Sequence, residues 1–521
     1  MCFLAHLRKT LCTVFVFFAF STVLCARGKP QSSPAAGAPP QELIIGDQFD
    51  LHNIDPAKGM LDDTQILVYN GLVEIDSNFR QTPGLAESWE MSPDGMMWTF
   101  RLRKNVRFHD GEPWNAQAAL ANFKRLDGYP GLSDTDRVET PDAYTLVFYM
   151  KQPTYNLSSN LARTMMSMVS PRAINEDGSI SEALGSGPYK LVKWDKDIEY
   201  VFEANDDFWG GKPNLRKITF KVITDPQSRA SALESGEIDM ISGYQALTVV
   251  KRLMQDDRFQ IIKKTQNTSV VIFYNINRAP LDSLAVREAV GHALDLQSMI
   301  TNLLPGLASP PGGFFSPAYG DLVNPGVKNP VYNVEEANTL LEQDGWVRGN
   351  GGIRIKNGSP LTLTLIYGAA NTEDSLLAPV MQDMLKEVGI DLKLNAVEGA
   401  ALDALQESKQ YDMILVGQSF IPTDDPSFNY QRGYWHSNSY YKIYTSDKLD
   451  ALIDELAVTM DTVKRRELHW EIQKEIMDHA PTLMVYHRNS IRLAKRNIRN
   501  FDISAGCWHI NRALKDTVIE K

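Results

Sequence analysis

Few side chains in this sequence are spaced to do chemistry together. Its nine histidines are scattered, and the tightest grouping, His469-Trp470, His479 and His487, sets its first two members ten residues apart. On one helix that is nearly three turns, too far for two imidazoles to share an ion, so these read as surface or core histidines. Three of the four cysteines, Cys2, Cys12 and Cys25, precede residue 26, which leaves Cys507 alone in the body. A lone thiol builds neither a disulfide framework nor a cysteine metal cage. No zincin helix, nucleophile elbow, Walker loop, EF-hand loop or dinucleotide fingerprint occurs. The chain is therefore expected not to be an enzyme and to carry no resident cofactor. What remains is a binding chemistry. The aromatic run Tyr434-Trp435-His436 through Tyr440-Tyr441 could stack on a ligand or close the rim of a cleft, against packing as a loop. Just before it, Gln418 to Pro426 brings Asp424 and Asp425 together.

The elements that must hold these groups alternate. Val201-Phe202, Ile218 to Ile223, Val270 to Tyr274, Leu361 to Ile366 and Met413 to Val416 read as strands, the fourth with clean period-two alternation. Between them Ser228 to Ser235, Leu284 to Leu303, Val334 to Asp344, Leu376 to Val388 and Leu449 to Ala457 carry apolar residues at helical spacing. The class is α/β with mixed sheets. Gly349 to Gly352 followed by Asn357-Gly358 reads as a surface hairpin, because Asn-Gly supplies positive φ and no Gly-Lys-Ser/Thr follows to cradle phosphate.

With 521 residues, 43% of them hydrophobic, the chain has length for about two to four domains with well-filled cores. A net charge of -11 leaves no basic excess to grip a polyanion, so nucleic acid is not an expected partner. At the start, His6, Arg8 and Lys9 precede the apolar run Leu11 to Leu24, and Ala26 to Gln41 is rich in Pro, Ala, Ser and Gly. That layout predicts a signal peptide over 1–25, a flexible linker over 26–41, and a soluble body outside the cytoplasm. Cleavage before Cys25 would free a cysteine for lipidation. The preceding Thr22-Val23-Leu24 lacks the small residue such a site normally has, so cleavage after Cys25 or Ala26 and a free periplasmic protein is the favoured form.

The stretch Leu85-Ala86-Glu87-Ser88-Trp89, then Trp98-Thr99-Phe100-Arg101-Leu102, then Val106-Arg107-Phe108-His109-Asp110-Gly111 strongly resembles the peptide and nickel class of ABC-transporter solute-binding proteins, family 5. Further fragments follow in family order: Gly185 to Tyr189, Asn205 to Gly210, Asp225-Pro226, Gly236 to Asp239, Val286 to Ala289 and Leu340 to Trp346. The resemblance spans roughly 43–500 and is closest to the nickel-binding periplasmic branch. It implies a two-lobed clamshell of the type II, cluster C kind that closes on solute by a hinge and docks on ABC permease subunits of the inner membrane as a monomer. By match position, lobe I comprises 42–270 and 488–521, with an extra subdomain at about 60–180, and lobe II comprises 271–487. Val270 to Asn275 and Tyr486 to Ser490 become the hinge strands. Trp89, Trp98, Trp209 and Trp346 read as core anchors.

The resemblance also frames the ligand. In peptide-binding members an aspartate four residues ahead of a loop proline pairs with the peptide's α-amino group, but the loop here has Pro422 at that place, leaving Asp424 or Asp425 to substitute. An ammonium buried without a carboxylate costs several kcal/mol, which weighs against an ordinary peptide. In the nickel branch a first-lobe arginine holds the chelator's carboxylates and a histidine some ten residues beyond the proline ligates the metal; Arg163 and His436 stand near those places. Phe420 replaces the tryptophan that lines the pocket before the loop, and Lys124 to Asp136 has no counterpart of the first-lobe tryptophan. The expected ligand set is Arg163, Phe420, Asp424, Tyr434, Trp435 and His436, with His436 as metal ligand. The cargo is a small nickel chelate, with a dipeptide, oligopeptide or opine-like conjugate as the alternative.

Overall fold

A computed structural model of the chain describes residues 41–58, 65–418, 425–503 and 512–520. The expected signal peptide, most of the expected linker, Cys25, Phe420, Asp424 and Cys507 lie outside the described residues. Local chemistry explains most elements. In strand Lys217–Val222 the apolar positions Ile218 and Phe220 are fully buried, and it pairs in parallel with Glu42–Asp47, Phe220 lying opposite Ile45. Helix Pro226–Ser235 starts where the Asp225 carboxylate accepts the Ser228 amide, and it stops at Gly236, whose φ of 84° suits a residue without Cβ. The window Leu284 to Leu303 forms two helices rather than one, Leu284–Ala293 and Leu296–Leu303. Asp295 causes the break, since its carboxylate caps the second helix by accepting the Ser298 amide, a bond that a residue inside a helix cannot make. The expected hairpin is present as Val347–Arg348, Arg354–Lys356 and Ser359–Pro360, with Asn357 and Gly358 both at positive φ.

Eleven described strands share one mixed sheet. Two long members, Phe259–Tyr274 and Thr482–Lys495, pair antiparallel over nearly their whole length and carry the sheet from one half of the molecule to the other. Near Tyr274 the first of them pairs with Met413–Gln418, which continues to Thr362–Gly368 and Asp391–Val397. At its far end the second pairs with Met240–Ile241, which leads to Glu42–Asp47 and on to Lys217–Val222, Glu199–Ala204 and Tyr189–Asp195. The register between the two long strands shifts between Thr265 and Ser269 and again between Val270 and Val271. Bulges of this kind bend and twist a ribbon.

The buried cores follow this division. Leu43, Ile45, Tyr189, Phe202, Phe220 and Met240 share one cluster with Ile498, Phe501, Ile503 and Leu514. The last strands return to the same side: Asn214 donates its amide to Lys515, and Gln41 and Ile519 exchange two hydrogen bonds. A four-stranded antiparallel sheet, Ala86–Met91, Met97–Leu102, Thr145–Met150 and Thr135–Asp142, buries Trp98, Phe100, Phe148 and Trp114 in its own core. Trp346 is buried beneath the second half, while Trp89 and Trp209 are half-buried, Trp209 lying under the Arg103 guanidinium. Val270, Ile272, Leu363, Leu415 and Leu483 belong to a core built wholly from residues 270–486.

Candidate functional site

The loop after Met413–Gln418 re-enters the described structure at Asp425, and this carboxylate is already committed. Arg465 donates to its Oδ2 at 2.6 Å, Ser427 donates its amide to Oδ1 at 2.8 Å, and His469 Nε2 lies 3.4 Å from Oδ1. The side chains of Asp425 and Arg465 are 8% and 4% exposed. Burial alone would raise the carboxyl, but Arg465 and His469 override it and hold it far below the ordinary carboxylate range. Arg465 also donates to the carbonyls of Leu456 and Thr459, and its guanidinium stacks 3.7 Å from the ring centroid of Tyr155.

The aromatic run beyond it is largely core. Trp435 is fully buried against Phe273 and Phe314, and Tyr434 stacks on Tyr441 and leans on Phe273. His436 is buried too. Its Nδ1 accepts the Asn438 amide at 3.0 Å, which leaves the ring proton on Nε2, 3.4 Å from Asp454 Oδ1 and 4.0 Å from Asp450 Oδ1. Nδ1 is thus occupied by Asn438, while Nε2 makes no hydrogen bond and faces the carboxylates of Asp454 and Asp450, so the imidazole must turn before its lone pair can meet a metal. Arg163, at the entry of the short turn Thr164–Met166, is half-buried. Burial lowers its pKa, and among the described residues no carboxylate pairs with it. The histidine grouping resolves as packing: His469 is fully buried, His479 stacks on Tyr444, and His487 Nδ1 meets Ser269 Oγ at 2.9 Å. Burial pushes the His487 imidazole down to about 4. Among the described residues no group of three or more His, Cys, Asp and Glu is arranged to hold a metal ion.

Among the described residues, two cavities are lined in part by the ribbon of long strands. The larger, of about 780 Å³, is lined by Phe79, Arg80 and Tyr155 together with Tyr319, Arg466 and His469, and by Lys264. The smaller, of about 140 Å³, lies between Tyr244-Gln245 and Glu373, against Tyr486 and Arg488. Tyr244 Oη and Thr372 Oγ1 meet at 2.7 Å, joining an element before the ribbon to one after it. Arg163, Tyr434, Trp435 and His436 line neither cavity.

Sequence reasoning passed over Arg465 and Arg488. Arg465 carried a signal, because it stands four residues before His469 on a helical face that buries Leu468, Ile472 and Ile476. Arg488 carried none beyond its place in the expected hinge strand Tyr486 to Ser490.

Residues 80–440 match the family of bacterial extracellular solute-binding proteins, family 5. The chain belongs to this family. Consistent with that membership, it is 30% identical over 454 residues to the nickel-binding periplasmic protein of Escherichia coli K12, covering 84% of this chain and 86% of that one. It is 25% identical to the probable D,D-dipeptide-binding periplasmic protein DdpA of the same organism, covering 89% of this chain and 92% of the relative. The crystal structure of NikA from Brucella suis in complex with Fe(III)-EDTA superposes with a TM-score of 0.81 at 28% identity, over 92% of this chain and all of that one. The two-lobed clamshell is therefore the fold of this protein, and its relatives are solute-binding proteins of ABC importers rather than enzymes. Among the described residues no helix is long and apolar enough to cross a membrane.

Proposed function

We propose that the protein works outside the cytoplasm as the capture subunit of an ABC importer, and that its cargo is a small nickel chelate bearing carboxylates. The lobes divide at the long strands, 42–270 with 488–521 against 271–487, and closure about that ribbon presents the loaded form to the permease. The observation that carries the choice of cargo is the state of Asp425. A peptide's α-ammonium needs a free carboxylate, and Asp425 is consumed by Arg465 and His469, leaving only Asp424 of that loop pair. Arg163, desolvated and without a described carboxylate partner, suits the planar carboxylate of a chelator. A single imidazole adds little affinity for Ni²⁺, so the chelator supplies most ligands and His436 one, after turning off Asp454. Descent from common stock with the nickel-binding relative supports this reading.

Calorimetry with Ni²⁺ complexed to a polycarboxylate chelator tests it. Arg163→Ala should weaken binding of any carboxylate ligand, and His436→Ala should weaken the nickel chelate while leaving metal-free peptides unaffected. Tight dipeptide binding untouched by either substitution, with no nickel-chelate binding by the unmodified protein, would replace this reading with the peptide one.

A further inference from the structure

Arg465 stands where segments that precede Phe259 meet segments that follow Tyr274. Thr154 fixes the approach from the first side: it is buried, its amide donates to the Gly95 carbonyl at 3.0 Å, and its carbonyl accepts the Trp98 indole at 2.9 Å. The next residue, Tyr155, is thereby tied to the four-stranded sheet, and its ring centroid lies 3.7 Å from the Arg465 guanidinium. From the second side Arg465 donates to the carbonyls of Leu456 and Thr459, which pins the turn between helices Asp447–Val458 and Thr462–Asp478. Met460, carried on that turn, packs on Gly95 so closely that a Cβ there would lie 2.6 Å from its Sδ. The two contacts share their supports, because Thr154 ties Gly95 to Tyr155 and Thr459 ties Met460 to Arg465.

A third contact joins the same two sides. Phe79, in the turn Asp76 to Arg80, is 4% exposed, and its ring centroid lies 6.1 Å from that of Tyr319. Its φ of 62° is a conformation that a bulky residue keeps only where its surroundings hold it. Phe79, Tyr155, Tyr319, Asp425 and Arg465 all line the larger cavity. The contacts that join the two sides are therefore also part of that cavity's wall.

We propose that Arg465 is a positioning residue for lobe closure: its guanidinium, set by Asp425 and the carbonyls of Leu456 and Thr459, takes up the Tyr155 ring and so completes the wall of the larger cavity. The proposal rests on the division of the lobes given above and not on the identity of the cargo. Asp425 and the two carbonyls come from the same lobe as Arg465, so they fix the guanidinium before the lobes meet. Little freedom is then left to lose on closing. Because the Tyr155 contact exists only with the lobes together, its whole strength biases the equilibrium toward the closed form.

Small-angle scattering of the full chain without added solute tests it, with the folding of each variant checked by its melting curve. Tyr155→Leu should move the closed–open equilibrium about two- to thirtyfold toward open, the range of a cation–π contact, read as a larger radius of gyration. Met460→Ala, which lies outside the cavity lining, should shift it in the same direction. Asp425→Asn should open the protein too, and should add less in the Tyr155→Leu background than it does alone, because both changes act through one guanidinium. A folded Tyr155→Leu with unchanged scattering, or an unmodified protein already as open as that variant, would overturn the proposal. So would an Asp425→Asn variant that melts earlier yet scatters as the unmodified protein does, since the pair would then serve the fold alone. None of these measurements uses a cargo, so a failed nickel-chelate titration leaves this result standing, and the reverse holds as well.

Discussion

Asp425→Asn isolates what the committed carboxylate contributes. The substitution keeps the volume and shape of the side chain while removing its charge, so packing changes little. Arg465 then keeps its bonds to the carbonyls of Leu456 and Thr459 but loses its only described carboxylate at ion-pair distance, with its own side chain 4% exposed. Removing one partner of a buried pair typically costs 3–5 kcal/mol, and the two remaining carbonyls put this case at the low end, about 3 kcal/mol. The pH dependence has a definite sign. A carboxyl whose folded pKa is depressed stabilises the fold at pH values above its unfolded value, about 4, and that contribution fades as pH falls below it. The gap between the unmodified protein and Asp425→Asn should therefore be full at neutral pH and shrink at about pH 3. Urea denaturation followed by tryptophan fluorescence at the two pH values measures both. Arg465→Met adds a cycle: each single change strands a polar partner, so the double variant should lose less than the sum of the singles by about 1 kcal/mol or more. A neutral-pH loss under about 1 kcal/mol, or a gap that does not change with acid, would refute the reasoning.

Asp374 should behave in the opposite sense. Burial, against the pull of Arg488 and with a push from Glu373, raises its carboxyl to about 7, so its ionised form costs stability above that pH and none below about pH 4. Asp374→Asn should raise the melting temperature above pH 7 and match the unmodified protein near pH 4; a gain that persists in acid would contradict the raised value. Tyr244→Phe removes the 2.7 Å bond to Thr372 that joins the two halves. It should shift the solution ensemble toward the open form, seen as a larger radius of gyration in small-angle scattering, with a change in stability of about 1 kcal/mol or less; an unchanged scattering profile would show that this contact does not govern closure.

How far the sequence could be read depends on which interactions decide each feature. Strands such as Ile218 to Ile223 and the caps at Asp225 and Asn333 are decided locally, by alternation and by short polar side chains that meet amides two or three residues on, and those are legible. The single window Leu284 to Leu303 misled because apolar spacing continues through Asp295, and only the competing cap bond to Ser298 shows the break. The candidate site is harder, because its geometry depends on partners far along the chain. His436 stands in a run of aromatic residues, which suggests a cleft rim. Its ring is instead turned to Asp450 and Asp454, on a helix that begins at Asp447 and carries no sequence mark of facing it. Asp425 shows the same limit from the other side: beside Pro426 it looks like a loop carboxylate open to a ligand, yet it is neutralised by an arginine 40 residues away. Binding function in this fold therefore turns on which charges remain unpaired once the halves have packed. By that criterion Arg163, with no described carboxylate at ion-pair distance, is a cation placed to meet a carboxylate, and the residues on either side of it do not mark it out.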